Sequence, residues 1–266
     1  MSAEAGQWWS TDLTRIVPGE IDLGGYPVEQ LIEHASFVDA VWLLLRGDLP
    51  DRRRSKLLEA ALTASVDHGP QAPSIAAARM AATCGVGLNS AVATGTNLLG
   101  DVHGGAGQQC MQLLDELVQR VRDGAGVQDA AADAVSRHRY VPGFGHRFHP
   151  RDPRRDPLLG LVEDAVAEGV VDGEHLRAAL AVEAALADGR TRPVPMNIDG
   201  ATAVVYAELG FAPELGRGLF VLARSVGILA HAWEERGSGT RIKGPIPRTL
   251  LAGYTGPATR EVPRGR

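Results

Sequence analysis

The chain of 266 residues, 28.1 kDa, is long enough for one large domain or for two lobes that share a core. With 44% hydrophobic and 22% charged residues and a mean hydropathy of −0.07, it is neither disordered, collagenous nor a disulfide-stapled miniprotein. Twenty-seven Lys and Arg against 32 Asp and Glu leave a net charge of −5, which argues against a general nucleic-acid-binding surface.

Residues 12–26 carry β-branched side chains broken by Pro18, Gly19, Gly24 and Gly25, so a short hairpin or irregular ribbon is expected there. Nothing after it reads as sheet. From Ser36 the pattern turns helical: Ser36 and Asp39 form a candidate capping box, and Phe37, Ala40, Val41, Leu44 and Leu45 recur at helical spacing until Gly47 and Pro50. Further helices are predicted over 54–65, 74–83, 88–99, 106–122, 128–138, 157–168, 173–187, 199–209 and 213–235. An all-α protein is therefore expected. Cys84 and Cys110 are too few for a disulfide framework and lack the spaced partners of a zinc site, so no metal is expected. The N-terminus lacks a signal-like apolar region, and no apolar run nears the roughly 18 residues of a membrane span. The expected setting is the cytoplasm, with no membrane and no nucleic acid among the partners.

The segments between helices are short and dense in Gly, Pro and His: Asp67-His68-Gly69-Pro70, Asp101 to Gly105, Val141 to Arg147, and Pro193 to Gly200. Helix ends offer unpaired backbone groups and partial charge, so their convergence would make a pocket for an anionic ligand. Each residue has a plain structural reading beside the chemical one. His103 before Gly104-Gly105 and His146 in Gly-Phe-Gly-His read singly as surface histidines, and Asp199 reads singly as a helix N-cap. Together, two imidazoles and a carboxylate at Gly-flanked helix edges are the parts for moving a proton and stabilising a developing oxyanion. Arg147, Arg151, Arg154 and Arg155 form a basic cluster that is either a solvated loop or a site for carboxylate and phosphate. Arg224, set among apolar neighbours on a helix, must face water or pair with something buried. There is no Walker sequence, dinucleotide fingerprint, RNA-binding motif or G-x-S-x-G elbow.

At these junctions the sequence resembles the citrate synthase family. The matching segments, in order, are Gly25-Tyr26-Pro-Val-Glu, Leu43 to Pro50, Val102-His103-Gly-Gly-Ala, Val141-Pro-Gly-Phe-Gly-His146-Arg with Asp152-Pro-Arg154, Asn197-Ile-Asp199-Gly, Ala223-Arg224-Ser-Val-Gly227 with Ala230-His231, and Tyr254-Thr-Gly-Pro257. The resemblance implies large and small helical domains, here 1–103 with 224–266 and 104–223, and a homodimer or higher homo-oligomer. It implies joining or splitting of acetyl-CoA and oxaloacetate, with a coenzyme A thioester as substrate and no tightly bound cofactor. By the same resemblance Asp199 moves the methyl proton, His103 donates to the thioester oxygen, and His146 polarises the ketone or accepts the hydroxyl proton. His68, Arg154 and Arg224 match carboxylate-binding positions. Val141, Pro142, Gly143, Phe144 and Gly145 match the loop around the coenzyme A adenine, with Arg147 or Arg151 beside its phosphates. The short span between Pro50 and Asp67, and the Asp-His-Gly-Pro form itself, look more like short citryl-CoA lyases and the cleaving module of ATP-citrate lyase than like the synthases. A citryl-CoA lyase is the leading expectation. Citrate or 2-methylcitrate synthesis with thioester hydrolysis is the first alternative, and a non-catalytic coenzyme A- or dicarboxylate-binding homologue is the second. Arg241-Ile-Lys243-Gly244-Pro245 lacks the arginine that in the family precedes this proline, so Lys243 or Arg248 is expected in its place.

Overall fold

The structure, a computed structural model, describes residues 6, 8–146, 149–247, 249–250 and 252–262. The ribbon is a three-stranded antiparallel sheet in the order β1 (Thr14–Val17), β2 (Glu20–Leu23), β3 (Tyr26–Pro27), with Thr14 opposite Leu23 and Leu23 opposite Tyr26. Gly24, at φ 55°, turns the chain so close to Leu43 that a Cβ there would lie 2.7 Å from its Cδ1, which fixes the ribbon against the helices. Eleven helices follow among the described residues: α1 (Val28–His34), α2 (Phe37–Arg46), α3 (Arg52–Ser65), α4 (Pro73–Thr83), α5 (Leu88–Thr96), α6 (Ala106–Arg122), α7 (Val127–Arg137), α8 (Arg155–Ala167), α9 (Glu174–Ala187), α10 (Ile198–Glu208) and α11 (Pro213–Gly237). The mostly helical class stands. The Ser36–Asp39 capping box is present in both directions, and Gly47 closes α2 in the left-handed conformation. Helix α3 begins before the expected position 54, because the Asp51 side chain accepts from the backbone N–H groups of Arg53 and Arg54. Helix α1 lay outside the sequence expectation: seven residues after Pro27, with no side-chain cap and only Leu31 buried, carry little periodic signal.

Helix α10 lies at the centre. Its Ala- and Val-rich sequence is apolar on every side, and Ile198 and Gly200 to Ala207 are all buried, packed by α3, α6, α8 and α9. A smaller apolar cluster of Ala72, Ile75, Ala78, Ala91, Ile228 and Ala232 joins α4 and α5 to the far half of α11. Helix α11 corrects the expectation that no run is apolar enough to span a membrane, since by length and composition it is. In the fold it packs against α3, α4, α5 and α6 and buries Arg224 and Glu235, as a core helix does.

Two glycines lock the Val141–Gly145 loop onto the start of α10. A Cβ on Gly200 would sit 2.4 Å from the Gly143 carbonyl oxygen, and one on Gly143 would sit 2.8 Å from Gly200 Cα. Contact this close seats two backbone bonds: Gly145 N–H donates to Pro195 O at 2.7 Å and Asn197 N–H to Gly143 O at 3.0 Å. Gly200→Ala must push the loop off the helix, so it is expected to cost about 1–3 kcal/mol and to lower the Tm by several degrees in thermal denaturation.

Candidate active site

A cavity of about 730 Å³ is lined by His68, His103, His146, His149 and Arg154, together with Val102 and the start of α4. Four residues singled out in sequence therefore share one wall. The His68 and His146 rings lie 6.1 Å apart, and those of His146 and His149 lie 4.6 Å apart.

His103 is held by the N-terminus of α4. Ser74, in its first turn, donates its backbone N–H to His103 Nε2 at 3.2 Å, and its hydroxyl lies 3.0 Å from the same nitrogen. A nitrogen that accepts a backbone N–H carries no proton, so the neutral ring has its hydrogen on Nδ1, free to donate to a ligand oxygen. Desolvation and then the charge of Arg224 lower the His103 pKa below the ordinary imidazole value, which keeps the ring neutral. His146 is fixed by a similar device: its Nδ1 accepts the His149 backbone N–H at 3.0 Å, which puts the proton of the neutral ring on Nε2. Its pKa is lowered by desolvation and by His149 and Arg154, against the pull of Asp152. Desolvation, Arg224, Arg154 and His146 lower that of His68.

Asp199 is not the N-cap of its helix, which corrects its plain reading. Asn197 takes that role, its side-chain oxygen accepting from Asp199 N–H at 2.9 Å and Gly200 N–H at 3.2 Å. Asp152 accepts the Ile198 N–H at 3.1 Å. With the first turn of α10 satisfied in this way, no described residue donates to the Asp199 carboxylate, which stays available for chemistry. Desolvation raises its pKa above the ordinary carboxylate value, although Arg224 and Arg154 oppose the rise.

The two arginines are tied to the C-terminal end of α3. Arg224, buried, donates Nε to Ser65 O at 3.1 Å and stacks 4.9 Å from the Phe220 ring centroid. Arg154 reaches Ala64 O at 3.4 Å and pairs through Nε and Nη2, each at 2.9 Å, with the buried Asp152. Neither Asp199 nor Arg224 is among the residues that line the cavity, and the remaining candidates also lie elsewhere. Val141 and Gly143 are buried, Pro142, Phe144 and Gly145 are part-buried, and the Gly143 and Gly145 carbonyls accept from Asn197 N and Nδ2. Arg151 is exposed and forks onto Asp156. Arg147 and Arg248 lie outside the described residues. Lys243 is engaged: its Nζ lies 2.9 Å from both carboxylate oxygens of the buried Glu235. Sequence reasoning missed Ser74 and the capping role of Asn197. The cap had a signal, an Asn directly before an apolar helix, whereas the role of Ser74 depends on a partner 29 residues away. Among the described residues no three His, Cys, Asp or Glu side chains are gathered to hold a metal.

The sign of the Asp199 shift yields a stability test. With its folded pKa raised, the ionised carboxylate costs the folded state free energy above that pKa, and the cost vanishes once pH falls below the unfolded value. Asp199→Asn is thus expected to raise the Tm by a few degrees at pH 7, with the gain shrinking toward pH 4 in parallel melts.

Comparison with known proteins fits this geometry. Residues 50–246 match the family model described as citrate synthase, C-terminal domain. The citrate synthase of Haloferax volcanii is 29% identical over 86% of this chain and 57% of its own length, and the 2-methylcitrate synthase of Shewanella oneidensis is 29% identical over 82% and 55%. The chain thus spans a little over half the length of these curated relatives. The solved structure of citryl-CoA lyase from Hydrogenobacter thermophilus is 33% identical, covers 96% of this chain and 97% of that one, and superposes with a TM-score of 0.85. ATP citrate lyase from Methanothrix soehngenii, solved with citrate and coenzyme A, shares the fold at a TM-score of 0.77 and 17% identity, over 96% of this chain and 45% of that one. This chain belongs to the citrate synthase family.

Proposed function

We propose that the protein is a citryl-CoA lyase, cleaving citryl-CoA to acetyl-CoA and oxaloacetate and able to run the same step in reverse. The observation that carries the reading is the state of Asp199 and His103: a carboxyl pushed toward its protonated form and an imidazole whose free N–H is preset as a donor, both within the field of Arg224. End-to-end likeness to a citryl-CoA lyase supports it. In cleavage the substrate hydroxyl loses its proton to His146, and the bond between the carbinol carbon and the thioester methylene breaks. Its electron pair moves into an enolate whose oxygen is held by His103 Nδ1–H, and Asp199 delivers its proton to the methylene carbon. Oxaloacetate and acetyl-CoA result, and the proton on His146 returns to Asp199 through solvent. The tautomer of His146 in this structure suits polarising a ketone. Accepting the hydroxyl proton at Nε2 requires the other tautomer, so the His149 bond to Nδ1 has to open in the cleavage direction.

His68, Arg154 and Arg224 are assigned to the carboxylates of the dicarboxylate half. The 141–145 loop and its flank, with Arg147, are assigned to coenzyme A. Arg151 can serve there only by exchanging Asp156 for phosphate. The cavity wall draws on both proposed domains, His68 and His103 from 1–103 and His146 and Arg154 from 104–223, as a closing cleft requires. A homodimer is proposed on the outer face of α11. Leu222, Val226, Leu229 and Trp233 recur there at 4, 3 and 4 residues and are 37%, 57%, 44% and 64% exposed, an apolar stripe of the kind that pairs helices. The unpaired Cys84 and Cys110 fit a reducing, cytoplasmic setting.

Purified protein given citryl-CoA should release oxaloacetate and acetyl-CoA in equal amounts with little free thiol. Citrate with free thiol and little oxaloacetate would instead establish a hydrolysing synthase, and no reaction a binding protein. Asp199→Ala should lower kcat by at least about 100-fold. In sedimentation, the wild type is expected as a dimer and Val226→Glu/Trp233→Glu as a folded monomer.

A further inference from the structure

The turn that carries His68 is laid along one face of α11. Ser65 O accepts from Arg224 Nε at 3.1 Å, Val66 O from Gly227 N–H at 3.1 Å, and Asp67 Oδ1 lies 3.2 Å from His231 Nε2. Three successive residues thus meet three helix positions spaced by 3 and 4. The middle rung depends on Gly227, where a Cβ would lie 2.2 Å from Val66 O. The last rung has a defined direction. Arg79 Nη1 lies 3.0 Å from His231 Nδ1 and can only donate, so Nδ1 accepts and Nε2 carries the hydrogen that goes to Asp67. Arg79 is itself held by Glu234 and by the buried Glu235, and Glu234 also lies 3.6 Å from His231 Nδ1. At its other oxygen Asp67 accepts the Gly69 N–H at 3.3 Å, so its carboxylate brackets the His68 backbone from both sides.

We propose that His231 is a positioning residue: through Asp67 it sets the place of the His68 imidazole in the cavity, and so governs affinity for the dicarboxylate half of the substrate and not for the coenzyme A half. No other contact ties Asp67 to a side chain among the described residues, and Asp67 is exposed enough that its own hydrogen bonds to the turn compete with water. Removing the His231 donor leaves the turn held by backbone bonds alone, at Val66 and through Ala72 N–H to Gly69 O at 3.2 Å, with no side chain pinning Asp67 to α11. His68 lies between those two fastenings.

The inference rests on the proposed lyase reading for its kinetic arm only. In the condensation direction, His231→Phe is expected to raise the KM for oxaloacetate about tenfold or more, with kcat and the KM for acetyl-CoA moving much less, because a hydrogen bond to a charged group is lost. His231→Gln, whose amide nitrogen reaches about as far as Nε2, should recover most of the loss. Asp67→Asn should reproduce the Phe variant, and His68→Ala should be made no worse by adding His231→Phe. A KM for oxaloacetate unchanged in His231→Phe, or losses that multiply with His68→Ala, would overturn the proposal. A structural arm stands without any activity. In protein labelled with ¹³C-histidine, the His68 ring signal should shift in His231→Phe and Asp67→Asn and return in His231→Gln, while that of His138, just past the end of α7, stays in place. An unmoved His68 signal in a folded variant overturns the positioning role even if the wild type cleaves citryl-CoA. A moved signal sustains it even if the wild type proves inactive and the lyase reading falls.

Discussion

Everything at the site follows from α10 being buried on all sides. A helix in that position cannot leave its first N–H groups to water, so they must be met by protein. Asn197 and Asp152 meet them, and the side chain at position 199 is released from the capping duty that an Asp in this place would otherwise have. The helix N-terminus and two nearby arginines favour an ionised carboxylate there, while loss of water disfavours it. Desolvation prevails, as the raised pKa records. The close contact of Gly143 with Gly200 is part of the same construction, because it brings the loop leading to His146 onto the helix start that presents Asp199.

Helix ends supply the other groups as well, each with the sign its end requires. The carbonyls of Ala64 and Ser65, at the negative end of α3, take Arg154 and Arg224. The N–H of Ser74, at the positive end of α4, meets an imidazole nitrogen and holds that ring neutral. A neutral imidazole N–H is a weak acid, so it can stabilise the developing enolate oxygen by a hydrogen bond without surrendering its proton.

Much of this was legible in the sequence, and the rest was not for identifiable reasons. The capping box at Ser36, the stop at Gly47 and the long periodic helices are local signals, and they appear where the residues place them. The junctions were legible as a set, because Gly, Pro and His clustered between helices have no packing reason to recur. What stayed hidden was relational. Ser74 lies in an unremarkable alanine-rich stretch until His103 arrives from 29 residues away, and His231 looks like a surface histidine until Arg79 and Asp67 close on it from two other elements. Lys243, expected to stand in for an arginine, pairs with the buried Glu235, a contact that only burial reveals.

Charge pairing sets one of the cations named above apart from the rest. Arg154 is matched by Asp152, Arg79 by Glu234 and Glu235, Lys243 by Glu235, and Arg151 by Asp156. Arg224 alone among these is held by a carbonyl and a ring face, with no carboxylate of a described residue in ion-pair contact. Its charge is therefore not cancelled where it is made. Burial keeps water from screening it, and it is the strongest charge acting on His68, His103 and Asp199. It helps keep both imidazoles neutral and tempers the desolvation of the carboxylate. A ligand carboxylate that neutralised Arg224 would relax all three effects at once: the imidazoles would become easier to protonate, and Asp199 would lose a counter-charge and hold its proton more firmly. Binding of the dicarboxylate half would thereby hold on Asp199 the proton that cleavage requires of it.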